Sequence, residues 1–274
     1  MLCRLYAPPP PLGHFVELLW LYQGFRPAHD QERLLPTGTV ELVIHLREDK
    51  IKTYDKKNPE VAHNYSGTVL CGAHSEFFII DTESQDSVMG AHFRPGGAFP
   101  LFRLPGGELH NLHAGLDCIW KPFRARELRE RILAAPTADG KIRVLELALL
   151  ETLRESFGRH PAVALALAEF NRAPGAQIIR EVTEKTGLSA RRFIDLFEKE
   201  VGLTPKLYCR VQRFQTVLRL IQKTRDIDWT EVALSCGYYD QSHFNHDFRA
   251  FSGINPTAYL LDHTEHLNHV PLKT

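Results

Sequence analysis

Apolar positions in the second half of the chain recur at the spacing of an α-helix, and they do so in two copies. Phe193 and Phe197 stand four residues apart, as do Phe244 and Phe248, with polar residues between them. Positions i and i+4 share one face of a helix, so each pair predicts a helix with a buried aromatic face. The copies lie about 50 residues apart, and two copies indicate a duplicated unit rather than a solenoid.

Flanking residues complete a helix–turn–helix pattern in each copy. Glycine accepts the left-handed conformation that closes a helix, and a Ser or Asp side chain satisfies free N–H groups at the start of the next. Both signals occur at matching places: Gly187, Ser189 and Gly202 in the first copy, and Gly237, Asp240 and Gly253 in the second. A further helix starts at Thr204-Pro205 in the first copy and at Asn255-Pro256 in the second, and we place the two units at residues 176–203 and 226–254.

The helix faces opposite the phenylalanines carry polar side chains that suit the reading of base edges. In a major groove arginine pairs with guanine, and glutamine or asparagine pairs with adenine. A solvated helix face is the alternative for one such helix, and the duplication favours DNA. We predict base contacts from six side chains: Arg191, Arg192, Gln241, Ser242, Asn245 and His246. Ile194, which suits a thymine methyl, and Asp195, which suits cytosine but repels phosphate, are left unassigned.

A family resemblance rests on the second copy. The pattern G-[YF]-x-[DS]-x-S-x-F-x-x-x-F-[KR]-x-x-x-G-x-[ST]-P-x-x-[YF] is nearly met by Gly237, Tyr238, Asp240, Ser242, Phe244, Phe248, Arg249, Gly253, Pro256 and Tyr259. Asn255 stands where the pattern has Ser or Thr. Residues 174–261 thereby resemble the DNA-binding domain of AraC/XylS-family transcription regulators. The resemblance implies two helix-turn-helix units joined by a long helix, here from about Pro205 to Lys223. It also implies two recognition helices that enter successive major-groove segments of double-stranded DNA, roughly 10 bp apart.

Phosphate contacts are expected from Arg210, Arg213 and Arg249, together with backbone N–H groups at helix starts. For Arg213 a structural pair with a nearby Asp or Glu is the alternative. The charge of the whole chain does not indicate nucleic acid, because 33 Lys+Arg balance 33 Asp+Glu. The electrostatic footprint must therefore be a local patch.

The first half reads as a β-rich unit followed by helices. Residues 37–46 are β-branched and partly alternating, and residues 68–81 and 87–99 continue the pattern. Apolar residues at helical spacing follow: Ile142, Leu145, Leu149 and Leu153. We predict an α+β protein with a β-rich, barrel- or sandwich-like domain and flanking helices over residues 1–172. A linker at residues 171–175 then leads into an all-α DNA-binding domain over residues 173–274.

The first half also resembles part of a known family, although less sharply. The stretches LPTGTVELVIHL, GAHFRPGGA and LRERIL are similar to the N-terminal, cupin-like or jelly-roll sensor domain of one AraC-type subgroup. The resemblance implies a small-molecule effector, a homodimer, or both, and with them transcriptional activation and contact with RNA polymerase. In the turn Phe93–Ala98, Arg94 is the polar anchor if the effector is anionic, and a purely structural turn is the alternative.

The sequence lacks the residue patterns expected for disulfide-bonded, metal-binding, membrane-spanning and catalytic proteins. The five cysteines are far apart and outside any C-x-x-C spacing, which predicts reduced thiols in a bacterial cytoplasm. Glu41 and His45 would lie about 13 Å apart along a strand, too far for one metal ion. The histidines near the end of the chain, His263, His266 and His269, are expected at a solvated end. With no apolar run of about 18 residues and no catalytic motif, we predict no membrane span, metal, cofactor or catalytic residue.

The sequence therefore predicts a sequence-specific DNA-binding transcription regulator, not an enzyme, with an effector bound to its first half. Two alternatives stay open at this stage. One is a cupin-like small-molecule-binding enzyme with an appended DNA-binding module. The other is a constitutive DNA-binding protein whose first half only dimerises.

Overall fold

A computed structural model describes residues 2–24, 26–153, 158–172, 178–223, 227–262, 264 and 266–272. The strands are β1 (Leu2–Tyr6), β2 (Val16–Gln23), β3 (Gln31–Leu34), β4 (Glu41–His45), β5 (Lys50–Tyr54), β6 (Ala62–Ser66), β7 (Thr68–Cys71), β8 (Phe78–Asp81), β9 (Ser87–Phe93), β10 (His113–Gly115) and β11 (His269–Pro271). The α-helices are α1 (Ala98–Phe102), α2 (Leu116–Ile119), α3 (Pro122–Ala134), α4 (Ala138–Leu153), α5 (Pro161–Arg172), α6 (Ile178–Thr186), α7 (Ala190–Val201), α8 (Pro205–Ile221), α9 (Trp229–Ser235), α10 (Gln241–Ser252) and α11 (Pro256–Asp262). This order confirms the predicted α+β architecture. Among the described helices, none is long and apolar enough to cross a membrane.

The β-rich half consists of two antiparallel sheets with a cavity between them. The larger sheet has the strand order β1-β2-β9-β4-β7-β10, and the smaller one runs β11-β3-β8-β5-β6. On β4, Leu42 and Ile44 are fully buried in the same apolar cluster as Leu145 of α4. Glu41 and Val43 alternate with them and line the cavity instead. The period of two along the strand thus gives the sheet one face on the helices and one on the cavity.

The duplicated unit forms as its caps and glycines predict. Ser189 begins α7 by accepting from the Arg192 N–H, and Asp240 begins α10 by accepting from the His243 N–H. The glycines at the ends of the flanking helices all have positive φ: Gly187 at 68°, Gly202 at 90°, Gly237 at 80° and Gly253 at 74°. The four phenylalanines of the two copies, Phe193, Phe197, Phe244 and Phe248, are fully buried. Local sequence therefore determines both turns and both buried helix faces.

The long connecting helix is α8, which ends at Ile221 rather than at the predicted Lys223. Its aromatic side chains contact both units. Tyr208 lies 5.7 Å from Phe197 of α7, and Phe214 lies 5.2 Å from Phe248 of α10, measured between ring centroids. Because α8 packs on both recognition helices, it fixes how they are placed relative to each other.

Two loops of the β-rich half contact the C-terminal ends of the recognition helices. The Phe77 N–H donates to the Phe251 carbonyl at 3.0 Å, and the Phe77 ring lies against Gly253 at the end of α10. Gly106 lies against Gly202 at the end of α7. The predicted division at residues 172 and 173 stays a prediction, and residues 173–175 of the predicted linker lie outside the described part of the chain.

The C-terminal end of the chain returns to the β-rich half. Strand β11 pairs with β3, with His269 opposite Leu34 and Pro271 opposite Glu32, and Val270 is fully buried. The expectation of a solvated end is therefore wrong for residues 269–271, because backbone hydrogen bonds and a buried valine stabilise an added strand there. His263 lies outside the described residues.

Candidate DNA-binding surface and ligand cavity

The polar faces of α7 and α10 are exposed. Arg191, Arg192 and Asp195 lie on the surface of α7, where Ile194 is 39% exposed. On α10 the four predicted base-reading side chains, Gln241, Ser242, Asn245 and His246, are all exposed. Since the phenylalanines of the opposite faces are buried, both helices present these polar side chains to solvent.

A surface depression of about 720 Å³ gathers most of the predicted side chains of the second copy. Its lining includes Gln241, Asn245, His246 and Arg249. The Thr230 hydroxyl donates a hydrogen bond to Gln241 Oε1 at 3.2 Å and holds this side chain in place. The amide and imidazole groups therefore lie beside an arginine on one concave surface.

The lining also contains residues that sequence reasoning missed, namely Trp229, Ala250, Pro256 and Thr257. Trp229 stacks on Phe244, with ring centroids 5.8 Å apart, so it packs against the buried face of α10. Asn255 had stood out as a departure from the family pattern. Its Oδ1 accepts from the Ala258 N–H at 2.7 Å, so it caps α11 as a Ser or Thr would.

The three arginines predicted to contact phosphate have different surroundings. Arg249 is exposed and lines the α10 depression. Arg210 is half-buried and forms an ion pair with Asp247, with Nη2 and Oδ1 2.6 Å apart. The hydrogen bond to Asp247 is the main factor that raises the pKa of Arg210. A phosphate contact from Arg210 would have to share this guanidinium, and it stays a prediction.

Arg213 has a structural position. It is 7% exposed, its Nη1 donates to the Gly237 carbonyl at 2.9 Å, and its guanidinium lies 4.9 Å from the Tyr238 ring centre. A side chain this buried offers little of its guanidinium to a phosphate, and the phosphate contact stays a prediction. The surroundings match the structural alternative, with a turn carbonyl and an aromatic ring as partners in place of a carboxylate.

The cavity between the sheets has a volume of about 670 Å³. Its apolar lining comprises Leu18, Trp20, Leu34, Val43, Ile51, Phe78, Ile80 and Val88. Its polar lining comprises Glu17, Tyr22, Glu32, Glu41, Thr53, Cys71, Gln85, His92, Arg94, His113, His266 and His269. A concave space of this size, lined by apolar side chains together with converging polar groups, has the form of a small-molecule site.

Two carboxylate–imidazole contacts lie in the lining of this cavity. Burial would raise the pKa of Glu32, but hydrogen bonds from His269 at 2.7 Å and His29 at 3.2 Å lower it. Burial would lower the pKa of His92, but Glu41, 3.9 Å away, raises it. The charged forms of Glu32 and of His92 are therefore favoured.

Arg94, the predicted effector anchor, belongs to the cavity lining. Its side chain is exposed, and its Nε donates to the Gly13 carbonyl at 2.9 Å. Because this hydrogen bond holds the Nε, it also sets the direction of the other N–H groups of the guanidinium. Contact with an effector stays a prediction. Within the described ranges, no group of three or more His, Cys, Asp or Glu side chains has a metal-binding arrangement.

Two stretches of the chain match known protein families. Residues 182–261 match the sequence profile of a family described as a helix-turn-helix domain. The C-terminal part of this chain is an AraC-type helix-turn-helix domain. The resemblance drawn from its motif is thereby confirmed. Residues 4–115, in the β-rich half, match a family described as a domain of unknown function (DUF6597).

Two of the proteins that the chain resembles are named as transcription regulators. The chain is 32% identical over 81 residues to the probable transcriptional regulator LumQ of Photobacterium leiognathi, which is 30% of this chain and 32% of that protein. It is 31% identical over 88 residues to the HTH-type transcriptional regulator Rv1931c of Mycobacterium tuberculosis (strain ATCC 25618 / H37Rv), which is 32% of this chain and 34% of that protein. The chain thus spans about a third of the length of these relatives.

Solved structures share a remote likeness with the whole chain. ToxT from Vibrio cholerae O395 aligns over 89% of this chain and 95% of its own, with 10% identity and a TM-score of 0.44. Wild-type ToxT from Vibrio cholerae strain SCE256, solved with an unsaturated fatty acid bound, aligns over 89% and 93%, with 12% identity and a TM-score of 0.45.

Proposed function

We propose that the protein is a sequence-specific DNA-binding transcription regulator. The observation that carries the proposal is the exposed polar face of α10 within a matched helix-turn-helix domain, where Gln241, Asn245, His246 and Arg249 line one depression. A helix whose opposite face is buried and whose N-terminal side chains are polar has the form of a recognition helix. The two named relatives, both regulators, support the same function.

Roles for the individual side chains follow from their chemistry. Gln241 and Asn245 pair with adenine, Arg191 and Arg192 with guanine, and Ser242 and His246 accept or donate at neighbouring base edges. Arg249 contacts phosphate beside α10, and Arg210 does so only while it also holds Asp247. With α7 and α10 in successive major-groove segments, the site spans roughly 17–20 bp.

We further infer that a small-molecule effector binds in the cavity between the sheets, with Arg94 as a polar anchor. The volume and mixed lining of that cavity support this inference. The effector acts by binding one arrangement of the two halves more tightly than the other, because equal affinity for both shifts nothing. The proposal contains no catalytic step, metal or cofactor.

We also propose that this regulator works in the cytoplasm of a bacterium. The five cysteines are free thiols, which supports the reduced cytoplasm of a bacterium. Homodimer formation, transcriptional activation and contact with RNA polymerase are the expectations that the family resemblance brings.

Genome-wide mapping of DNA bound by the full-length protein, followed by fluorescence anisotropy on the enriched sequence, tests the proposal. We expect an enriched motif of roughly 17–20 bp and an affinity at least roughly 1,000-fold above that for scrambled DNA at physiological salt. Equal affinity for enriched and scrambled DNA would remove the sequence-specific function. A thermal-shift screen of small molecules on the same protein tests the effector cavity, with Arg94→Ala as the variant that weakens an anionic hit.

A further inference from the structure

The cavity between the sheets is walled in part by residues that follow α11 in the chain. His266 and His269 belong to its lining, and they also line an adjoining cavity of about 380 Å³. The His269 Nδ1 lies 2.7 Å from Oε1 of Glu32, and the His266 ring meets Tyr22 edge-on with centroids 6.3 Å apart. A ligand in this space therefore meets the C-terminal segment as well as the sheets.

The same segment, residues 266–272, is bonded to the sheet through its backbone. Beyond the β11–β3 ladder, the Leu35 N–H donates to the Asn268 carbonyl at 2.8 Å, and the Leu272 N–H donates to the Gln31 carbonyl at 2.9 Å. Its one fully buried apolar side chain is Val270. A short edge strand with a single fully buried side chain opens at a lower free energy than the sheets it borders.

The outer side of the segment is attached to the DNA-binding helices. The Gln215 Nε2 of α8 donates to Asn268 Oδ1 and to the Pro36 carbonyl, both at 2.8 Å. Tyr259 of α11 donates its hydroxyl proton to the Leu267 carbonyl at 2.8 Å. Since α8 packs on both recognition helices, a movement of this segment is transmitted to the helix that positions them.

We propose that residues 266–272 form a movable wall of the ligand cavity, that His266 and His269 face the ligand, and that docking of this wall on β3 is coupled to DNA binding through Gln215 and α8. The coupling rests on the proposed function, whereas the movable wall does not. In the docked arrangement seen here, the base-reading faces of α7 and α10 are exposed. The proposed coupling means that DNA binds the docked arrangement more tightly, and by reciprocity an effector that opens or closes the wall changes DNA affinity.

Cys71 offers a reporter for the position of this wall, since it lines both cavities, while Cys118 is exposed on α2. The full-length protein is treated with N-ethylmaleimide, and labelling of each cysteine is followed by peptide mass spectrometry, with Cys118 as the reference for reagent activity. Asn268→Ala removes the side-chain bond to Gln215, which keeps its bond to Pro36. We expect Cys71 to be labelled about fivefold faster in this variant, the factor for one lost hydrogen bond.

Two further variants serve as a positive and a negative control for this measurement. Val270→Asp places a charge at a fully buried position and should expel the strand, with labelling of Cys71 faster by roughly tenfold or more. Leu261→Ala alters an 81% exposed side chain of α11 and should leave the rate unchanged. Circular dichroism confirms that each variant is folded. If Cys71 reacts at the wild-type rate in both Asn268→Ala and Val270→Asp, the wall does not move and the proposal is overturned.

Labelling with and without saturating DNA of the enriched sequence then tests the coupling. We expect bound DNA to slow the labelling of Cys71 in the wild type by about threefold or more, and to slow it less in Asn268→Ala. An unchanged or faster rate in a wild-type protein that does bind the DNA overturns the coupling. A wild type that binds no DNA overturns the proposed function instead, and the movable wall is still decided by the first measurement.

Discussion

Arg210 of the connecting helix and Asp247 of the second recognition helix form a two-point ion pair. The Nη2–Oδ1 distance is 2.6 Å and the Nε–Oδ2 distance is 3.3 Å. Asp247 is 2% exposed, so Arg210 neutralises a carboxylate that has almost no contact with solvent. The pair holds α10 on α8.

The first prediction concerns this pair. Arg210→Ala leaves Asp247 buried without its guanidinium, and we expect it to lower the free energy of unfolding by roughly 2–3 kcal/mol, less than for a fully buried pair because Arg210 is partly exposed. The midpoint of thermal unfolding measures this loss. Arg249→Ala is the matched control, since this arginine is exposed on α10 and should change stability little.

Measurements of DNA binding test whether Arg249 and Arg210 contact phosphate. Arg249→Ala should flatten the dependence of log affinity on log salt by about one, as expected for one lost phosphate contact. Arg210→Ala flattens the slope by a similar amount only if Arg210 also contacts phosphate. A salt slope equal to that of the wild type in Arg249→Ala would count against the proposed phosphate contact.

Local signals explain what the sequence predicted well. The glycines with positive φ, the Ser189 and Asp240 caps and the phenylalanines four apart act within a few residues of their own position. Their effect on the chain does not depend on what is packed against them, so a helix–turn–helix could be inferred twice. The presence of a β-rich half followed by helices was likewise visible in the alternation along residues 37–46.

Contacts between distant segments explain what the sequence left out. Pairing of β11 with β3 depends on where α11 ends in space, and no property of residues 269–271 alone indicates a strand partner. The burial of Arg213 depends on the turn at Gly237. Asp247 did carry a signal, because it falls between Phe244 and Phe248 on the buried stripe of α10, where an acidic side chain requires a cationic partner.

The second prediction concerns base reading. Gln241→Ala or Asn245→Ala should reduce binding to the enriched sequence by roughly 1–3 kcal/mol and change binding to random DNA little, because the lost bonds are to base edges. Gln222→Ala, an exposed glutamine at the end of α8, is the matched control. Fluorescence anisotropy on both DNAs makes the comparison. Losses of the same size on enriched and random DNA would contradict base reading by these side chains.

The third prediction concerns pH and two neighbouring histidines of the β-rich half. Burial, followed by the charge of nearby His113, lowers the pKa of His74 to about 2, and burial lowers that of His113 to about 4. Both ring nitrogens of His74 lack a hydrogen-bond partner among the described residues, and its ring packs on Phe78 at 4.5 Å. The folded state therefore keeps these rings neutral where the unfolded chain protonates them.

The direction of the pH effect on stability follows from this difference between the folded and unfolded states. Since the folded pKa values lie below 6.5, stability is fully present above about pH 6.5 and is lost as the pH falls toward 4. At pH 5 we expect His74 alone to cost about 2 kcal/mol, or roughly 4–8 °C in the unfolding midpoint. His74→Phe should remove this part of the pH dependence, whereas His63→Phe, on the exposed strand β6, should not. Identical pH dependence in all three proteins would refute the assignment.

The fourth prediction uses two glycines that share a conformation but not an environment. Gly187 and Gly253 have φ values of 68° and 74°. A Cβ at Gly187 meets nothing within 4 Å, whereas one at Gly253 lies 2.5 Å from the Phe77 ring. Gly187→Ala should thus cost only the left-handed backbone, about 1–2 kcal/mol, and Gly253→Ala should cost roughly 1–3 kcal/mol more for the steric overlap.

A double-mutant cycle shows whether that overlap comes from the β-rich half. Adding Phe77→Ala to Gly253→Ala removes the obstructing ring, so the pair should be less destabilising than the sum of the single changes by about 1 kcal/mol or more. Adding Phe77→Ala to Gly187→Ala should be additive, because those residues do not touch. Thermal unfolding of the full-length variants gives both cycles. Additivity in the Gly253 cycle would mean that Phe77 does not rest on the end of α10 in solution, and that the β-rich half does not hold this recognition helix.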